Sequence, residues 1–221
     1  MTLNQFVVLL LPELVLTLAA LVVLGLEIVW RDANGRKRVL PWVALVGVLA
    51  TLLVTALIWP LASGGGLPIS LAPGQDFGGD QTPMLALDGL SLFFKAFAVL
   101  VLALVLLSST EYVRARTAFR GEFYALILFA GLAIMLAAAA TNLLMIYLAI
   151  EFLSLTSYLL TGYLRDDEKS TEGAVKYFVY GATASAIMVY GFSLLYGATG
   201  TIDLAGIATA LTSGSAAVHW L

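Results

Sequence analysis

The chain divides into six apolar stretches, residues 6–30, 39–62, 85–108, 122–140, 143–164 and 172–196, separated by shorter polar segments. Each meets or approaches the roughly 20 residues that a helix needs to cross a hydrocarbon layer of about 30 Å. The pattern predicts an all-α fold, a polytopic transmembrane helix bundle of six spans. The first stretch reads as a span and not as a cleaved leader. No basic segment precedes it, and it runs into Glu27 and a basic loop instead of a small-residue cleavage site.

The polar segments set an orientation. Arg31, Arg36, Lys37 and Arg38 follow the first span, Arg114, Arg116 and Arg120 the third, and Arg165 and Lys169 the fifth. The segments after spans two, four and six contain no Lys or Arg. Basic residues collect on the inner side of a membrane, so the N-terminus is expected outside and the odd-numbered loops inside. The longest connection, residues 63–84, holds Gly64-Gly65-Gly66, three prolines, Asp76 and Asp80, and reads as an outer loop with turns or a short hairpin. Residues 201–212 are apolar but too short to cross, which fits an interfacial helix or the lead-in to a further span.

Composition agrees and removes several chemistries. Hydrophobic residues make up 61% of the 221 and charged residues 11%, with a mean hydropathy of +0.99, against roughly 25% charged in an ordinary soluble domain. There is no Cys and a single histidine, His219. A Cys-ligated iron–sulfur cluster, a His-paired haem and a disulfide framework are therefore excluded from these residues. A net charge of −3 gives no basic footprint for nucleic acid. Nothing resembles a selectivity filter, a P-loop or a dinucleotide fingerprint.

The informative positions are charges inside the spans. An ionisable group at mid-bilayer costs about 2.5–3.5 kcal/mol on insertion scales, so it asks for a reason. Glu151 sits roughly 12–13 Å into span five at 1.5 Å per residue, too deep for a short side chain to reach the interface. Tyr147, Ser154 and Tyr158 share its helical face, making a hydroxyl stripe around the carboxylate suited to a hydrated path. The competing reading is a structural carboxylate paired to a neighbouring helix. Lys176 lies about one turn into span six, with Glu172 four residues earlier in the favourable order for a helix pair. Ser170 or Thr171 is placed to cap that helix. Tyr180, Thr183 and Tyr190 continue the Lys176 face as a polar track. A lysine beside a carboxylate can also trade a proton with it, because desolvation and the partner charge pull in opposite directions.

Lys95 lies about ten residues into span three with Ser91 and Asp88 on its face. Asp88 reads as that helix's cap, and Lys95 as facing the bundle. Glu13, after Pro12, is about two turns into span one and has no partner on its own helix. Glu27 has Arg31 at i+4, and Glu122 opens span four, where a carboxylate suits the positive end of the helix dipole. Carboxylates and lysines inside a bundle, with hydroxyls around them, are the parts of a proton relay.

The string Leu143-Leu144-Met145-Ile146-Tyr147-Leu148-Ala149-Ile150-Glu151-Phe152-Leu153-Ser154-Leu155 resembles the fifth membrane helix of the antiporter-like subunits of respiratory complex I. Glu172-Gly173-Ala174-Val175-Lys176-Tyr177-Phe178 resembles the start of their helix six, and Tyr196-Gly197-Ala198-Thr199-Gly200-Thr201 its exit. Asp88-Gly89-Leu90-Ser91-Leu92-Phe93-Phe94-Lys95 and Glu122-Phe123-Tyr124-Ala125-Leu126 add to the likeness. Pro12-Glu13 and Val175-Lys176-Tyr177-Phe178 are most similar to subunit N, the counterpart of mitochondrial subunit 2.

That resemblance implies a membrane-arm subunit of a proton-pumping NADH–quinone oxidoreductase. Glu151 and Lys176 would serve proton translocation, with Lys95, Asp88, Glu13, Tyr147, Ser154 and Tyr180 as supporting polar groups. It implies no cofactor in this chain, with FMN, iron–sulfur clusters and quinone on partner subunits. Expected partners are the neighbouring antiporter-like and small membrane-arm subunits and the lipid bilayer. The expected location is a bacterial cytoplasmic membrane. Residues 1–121 would hold helices one to three with the outer loop, and residues 122–221 the start of the proton-translocating repeat. Family members have further helices in two inverted repeats, and the Glu151 position pairs with a lysine on helix seven. The chain is accordingly expected to be a truncated half of an antiporter-like fold and no complete proton path alone. Two alternatives share the same residues: a subunit of a multi-subunit Na⁺/H⁺ antiporter or membrane-bound hydrogenase, and a spacer in which neither Glu151 nor Lys176 affects proton flux.

Overall fold

The computed structural model describes residues 3–30, 36–63, 84–117 and 119–213. Among these residues seven α-helices run in order: α1 Leu3–Val29, α2 Leu40–Ser63 (entered by a 3₁₀ turn, Arg36–Val39), α3 Gly89–Arg116, α4 Arg120–Ala139, α5 Leu143–Thr161, α6 Glu168–Thr199 and the short α7 Leu204–Thr212. The first six are long and apolar enough to cross a membrane. The expected six spans are therefore present. The loop at 64–83, Arg31 and His219 lie outside the described residues.

Several boundaries differ from the apolar pattern, and the third helix runs on past residue 108 to Arg116, so that Arg114 and Arg116 lie in its last turn. The third helix starts at Gly89 instead of residue 85, because Asp88 caps it: the Ser91 amide donates to Asp88 Oδ1 at 2.7 Å, and the Asp88 amide donates to Ser91 Oγ at 3.0 Å. The sixth starts at Glu168 and is capped by Asp167, which accepts from the Lys169 amide. Ser170 and Thr171 do not cap it; the Ser170 hydroxyl instead donates to the Thr161 carbonyl at 2.7 Å and ties α6 to the end of α5.

Helices α1 to α4 form a four-helix bundle in which α1 and α3 each pack on α2 and α4 and so stand diagonally. Its centre is built from Leu16, Ala20 and Val23 of α1, Val48 of α2, Val99 and Leu106 of α3, and Leu128 and Met135 of α4. Lipid supplies no hydrophobic drive between helices, so close backbone approach has to supply the packing. Gly47 lies against Ala19, and Gly131 against Leu102, each too near for a Cβ to fit. Helix α5 packs along α4, and α6 packs chiefly along α5. Within α6 only Ala198 is buried.

The end of the bundle away from the basic loops is stitched by backbone pairing. The turn between α4 and α5 lies between two extended segments: Ala86 N–H meets the Ala139 carbonyl at 2.8 Å and Thr141 N–H the Met84 carbonyl at 3.1 Å. On its other side, Leu143 N–H meets Ile202 and Leu204 N–H meets Thr141, at 2.9 and 3.0 Å. Irregular backbone near hydrocarbon needs every such partner. Asn142 caps α5 and Asp203 caps α7 at the same junction.

Candidate functional site

The structure sorts the intramembrane charges into three settings. The first is a sealed pair. Lys95 Nζ lies 2.7 Å from Glu13 Oε1, and the two side chains are 1% and 5% exposed. Lys95 projects from the second turn of α3 and reaches across the bundle diagonal to α1, a distance only a long side chain spans. Both Glu13 oxygens lack a hydrogen-bond donor in good geometry, so the contact is ionic. The sequence placed each residue inside the bundle; the structure brings them together.

The second setting is the face of α5. Tyr147, Glu151, Ser154 and Tyr158 are all half-buried, as one stripe requires. The Tyr158 ring packs edge-on against Tyr177 and Phe178 of α6, with centroids 4.8 and 5.7 Å away. Its hydroxyl rests against Gly181, where any Cβ would collide. The Tyr158 end of the stripe thus lies on the α5–α6 seam. Within the stripe Glu151 Oε1 is buried and has no hydrogen-bond partner. A carboxylate oxygen so placed offers a lone pair to a proton, or to a cation carried by another helix.

Lys176 is set apart from this. It pairs with Glu172 one turn earlier, as the spacing predicts, and both side chains are well exposed, at 65% and 63%. No ion pair joins Lys176 to Glu151 among the described residues. Tyr180 is 76% exposed and Tyr190 66%, while the Thr183 hydroxyl is spent on the Val179 carbonyl. The predicted track on α6 therefore lies along an uncovered helix face.

The third setting is the basic end. Glu27 reaches a partner far from it in the chain. Its Oε2 accepts the Gly121 amide at 3.0 Å, with Glu27 6% exposed. The α4 N-terminus has no side-chain cap of its own at Phe119, and Glu27 supplies the missing acceptor from α1. Glu122 lies in the first turn of α4 as expected, and also pairs with Arg165 at 3.0 Å. Beside them the Tyr163 hydroxyl is buried without a hydrogen-bond partner. Burial pushes this phenol up to about 12, with the nearby Thr117 side chain opposing it short of hydrogen-bond geometry. Neither Tyr163 nor the Glu27 cap is signalled by residue pattern, beyond the poor capping residue at 119. Among the described residues no group of three or more His, Cys, Asp or Glu converges.

Known proteins match this arrangement. A family model described as "NADH:quinone oxidoreductase/Mrp antiporter, TM" covers residues 140–221, which hold α5 and α6. NADH-quinone oxidoreductase subunit N 2 of Symbiobacterium thermophilum is 40% identical over 217 residues, 96% of this chain and 40% of its own length. The chain belongs to the subunit N family. A chloroplast relative, NAD(P)H-quinone oxidoreductase subunit 2 of Chlorokybus atmophyticus, is 39% identical over 90% of this chain and 36% of its own. The chain thus spans about two fifths of the length of the curated relatives it matches. Among solved structures, respiratory complex I from Thermus thermophilus with bound aureothin superposes with a TM-score of 0.63 at 28% identity, covering 87% of this chain and 38% of that one. An archaeal membrane-bound sulfane sulfur reductase gives a TM-score of 0.69 at 19% identity, over 94% of this chain and 40% of that one, and shares the fold.

Proposed function

We propose that the chain is part of a membrane-arm subunit of a proton-pumping NADH–quinone oxidoreductase, and that it carries one section of the proton path. The observation that carries this is Glu151: a buried carboxylate oxygen without a donor, on a hydroxyl-lined face of a transmembrane helix, inside the segment that the family model matches. Glu151 is the group that takes up and releases the proton. Tyr147, Ser154 and Tyr158 hold water or a proton along its face. Lys176 serves from α6, where its exposed side chain is open to groups that the remaining length of such a subunit would bring. Glu13 and Lys95 support the path from a distance by fixing the bundle against which α5 packs, Asp88 by starting α3, and Tyr180 by adding a hydroxyl to the open face of α6.

Redox chemistry falls to partner subunits in this reading, which would hold FMN, iron–sulfur clusters and quinone. The N-terminus faces outside, the arginine-rich turns face the cytoplasm, and the membrane is a bacterial cytoplasmic one. Glu151→Gln in the assembled complex is expected to lower proton pumping while assembly survives. An assembled variant that pumps at the wild-type rate refutes the reading.

A second reading follows from the same family description, which names the Mrp antiporters alongside the oxidoreductases. There the same carboxylate exchanges sodium for protons without electron transfer. The two separate by company and by ion: co-purifying flavin and iron–sulfur subunits favour the first, and sodium-dependent proton exchange without them the second.

A further inference from the structure

The basic end of the bundle carries two adjoining cavities, of about 310 and 420 Å³, each within the roughly 300–1,000 Å³ of small-molecule sites. They share Glu122, Tyr163 and Arg165 in their walls. One limb is apolar and lies among the spans, between Leu24 of α1, Leu126 and Phe129 of α4 and Leu159 of α5. The other is more polar and lies at the turns, where Arg116, Asp166 and Asp167 join Phe119 and Leu164 in the wall. Tyr163, whose hydroxyl is buried without a hydrogen-bond partner, lines both.

Each part of this shape selects for a property of its occupant. An apolar limb within the spans takes a hydrocarbon chain. A phenol that stays protonated donates to a neutral or anionic oxygen at the boundary, such as an ester carbonyl. The polar limb holds both signs of charge, two arginines and three carboxylates with Glu122 counted. Glu122 is occupied with Arg165, and Asp167 with the Lys169 amide. Arg116 and Asp166 have no ion-pair partner among the described residues, the Arg116 guanidinium lying over the Tyr112 ring. A purely anionic headgroup meets the carboxylates there and a purely cationic one meets the arginines.

We propose that the joined cavities hold one zwitterionic aminophospholipid. Its acyl chain lies between α1, α4 and α5, its ester at Tyr163, its phosphate at Arg116 and Arg165, and its ammonium at Asp166. The inference needs only that the helices cross a membrane, and stands apart from the proton path. Charge-assisted contacts at both ends make recognition of the primary ammonium selective, since a quaternary ammonium has no N–H to donate.

The test is native mass spectrometry of the detergent-purified assembly containing this chain, stripped of lipid and titrated with phosphatidylethanolamine, phosphatidylglycerol or phosphatidylcholine. Phosphatidylethanolamine is expected to be retained about tenfold more tightly than either of the others. Tyr163→Phe is expected to weaken that retention about fivefold, and Leu126→Trp, which fills the apolar limb, to abolish it. Equal retention of the three lipids, preference for phosphatidylglycerol, or retention unchanged in both variants overturns the proposal. A measurement on the unaltered protein stands beside these. Phosphatidylethanolamine with a photoactivatable acyl chain should label residues 120–129 and 159–165, and labelling confined to other segments overturns it.

Discussion

The carboxylate of Glu27 accepts the backbone amide of Gly121, ninety-four positions later, and so caps a helix to which it does not belong. Helix α4 begins at Arg120 without a capping side chain at Phe119, and its first-turn N–H groups carry the positive end of the helix dipole. Glu27→Ala is expected to cost about 1–2 kcal/mol of stability. Gly121→Ala is expected to be damaging through a different cause, since its Cβ would lie 2.6 Å from Glu27 Cβ. Chemical denaturation of the purified membrane protein checks both. A Glu27→Ala variant as stable as wild type would mean that water caps α4 equally well.

The diagonal pair predicts strong non-additivity. Glu13→Leu alone leaves the Lys95 ammonium buried without its counter-charge, and Lys95→Met alone leaves the carboxylate so. Each is expected to cost about 3–5 kcal/mol, while the double replacement recovers most of it. Folded yield and detergent unfolding read this directly. Single variants within 1 kcal/mol of wild type, or a double variant no better than its parents, contradict it.

The α5–α6 seam predicts a steric dependence. Gly181→Ala forces a Cβ into the space of the Tyr158 hydroxyl and is expected to loosen α6 from α5. Engineered cysteines across the seam would then cross-link severalfold less, and Tyr158→Leu in the same chain should restore the cross-link.

Tyr163 predicts a pH effect with a definite sign. Its phenol titrates at about 12 when folded and near 10 when unfolded. Below pH ~10 both states keep the proton, and this group leaves stability unchanged. Between about 10 and 12 only the unfolded chain loses it, so stability falls by up to about 1.4 kcal/mol per pH unit. Tyr163→Phe should lack that component, and identical alkaline profiles for the two proteins would show that the phenol titrates normally.

The sequence exposed the spans plainly because lipid demands long apolar runs and polar turns, which leaves little room for another reading of residues 40–63 or 143–161. It was less exact at residues 85–87. They are as apolar as a helix interior, yet they lie extended against residues 139–141, and hydropathy does not separate the two. Asp88 was legible because capping is local. Glu27 was not, since Arg31 at i+4 offered a nearby partner while the actual acceptor role depends on where α4 starts in space. The Glu13–Lys95 pair was hidden for the same reason: periodicity says which residues face inward but not which two helices stand diagonally. The common face of the α5 stripe was legible from spacing because all four of its residues lie on one helix, whereas the α6 track has no covering neighbour among the described residues.

The diagonal pair also bears on how the chain enters its membrane. Neither α1 nor α2 carries a positive side chain inside the bundle, so the first hairpin, once inserted, holds a carboxylate with nothing to balance it. The balancing ammonium arrives with α3, on the far side of α2. The smallest piece of this protein that is electrically at rest in lipid is therefore three helices long, and a ribosome must deliver Lys95 before Glu13 has a settled place.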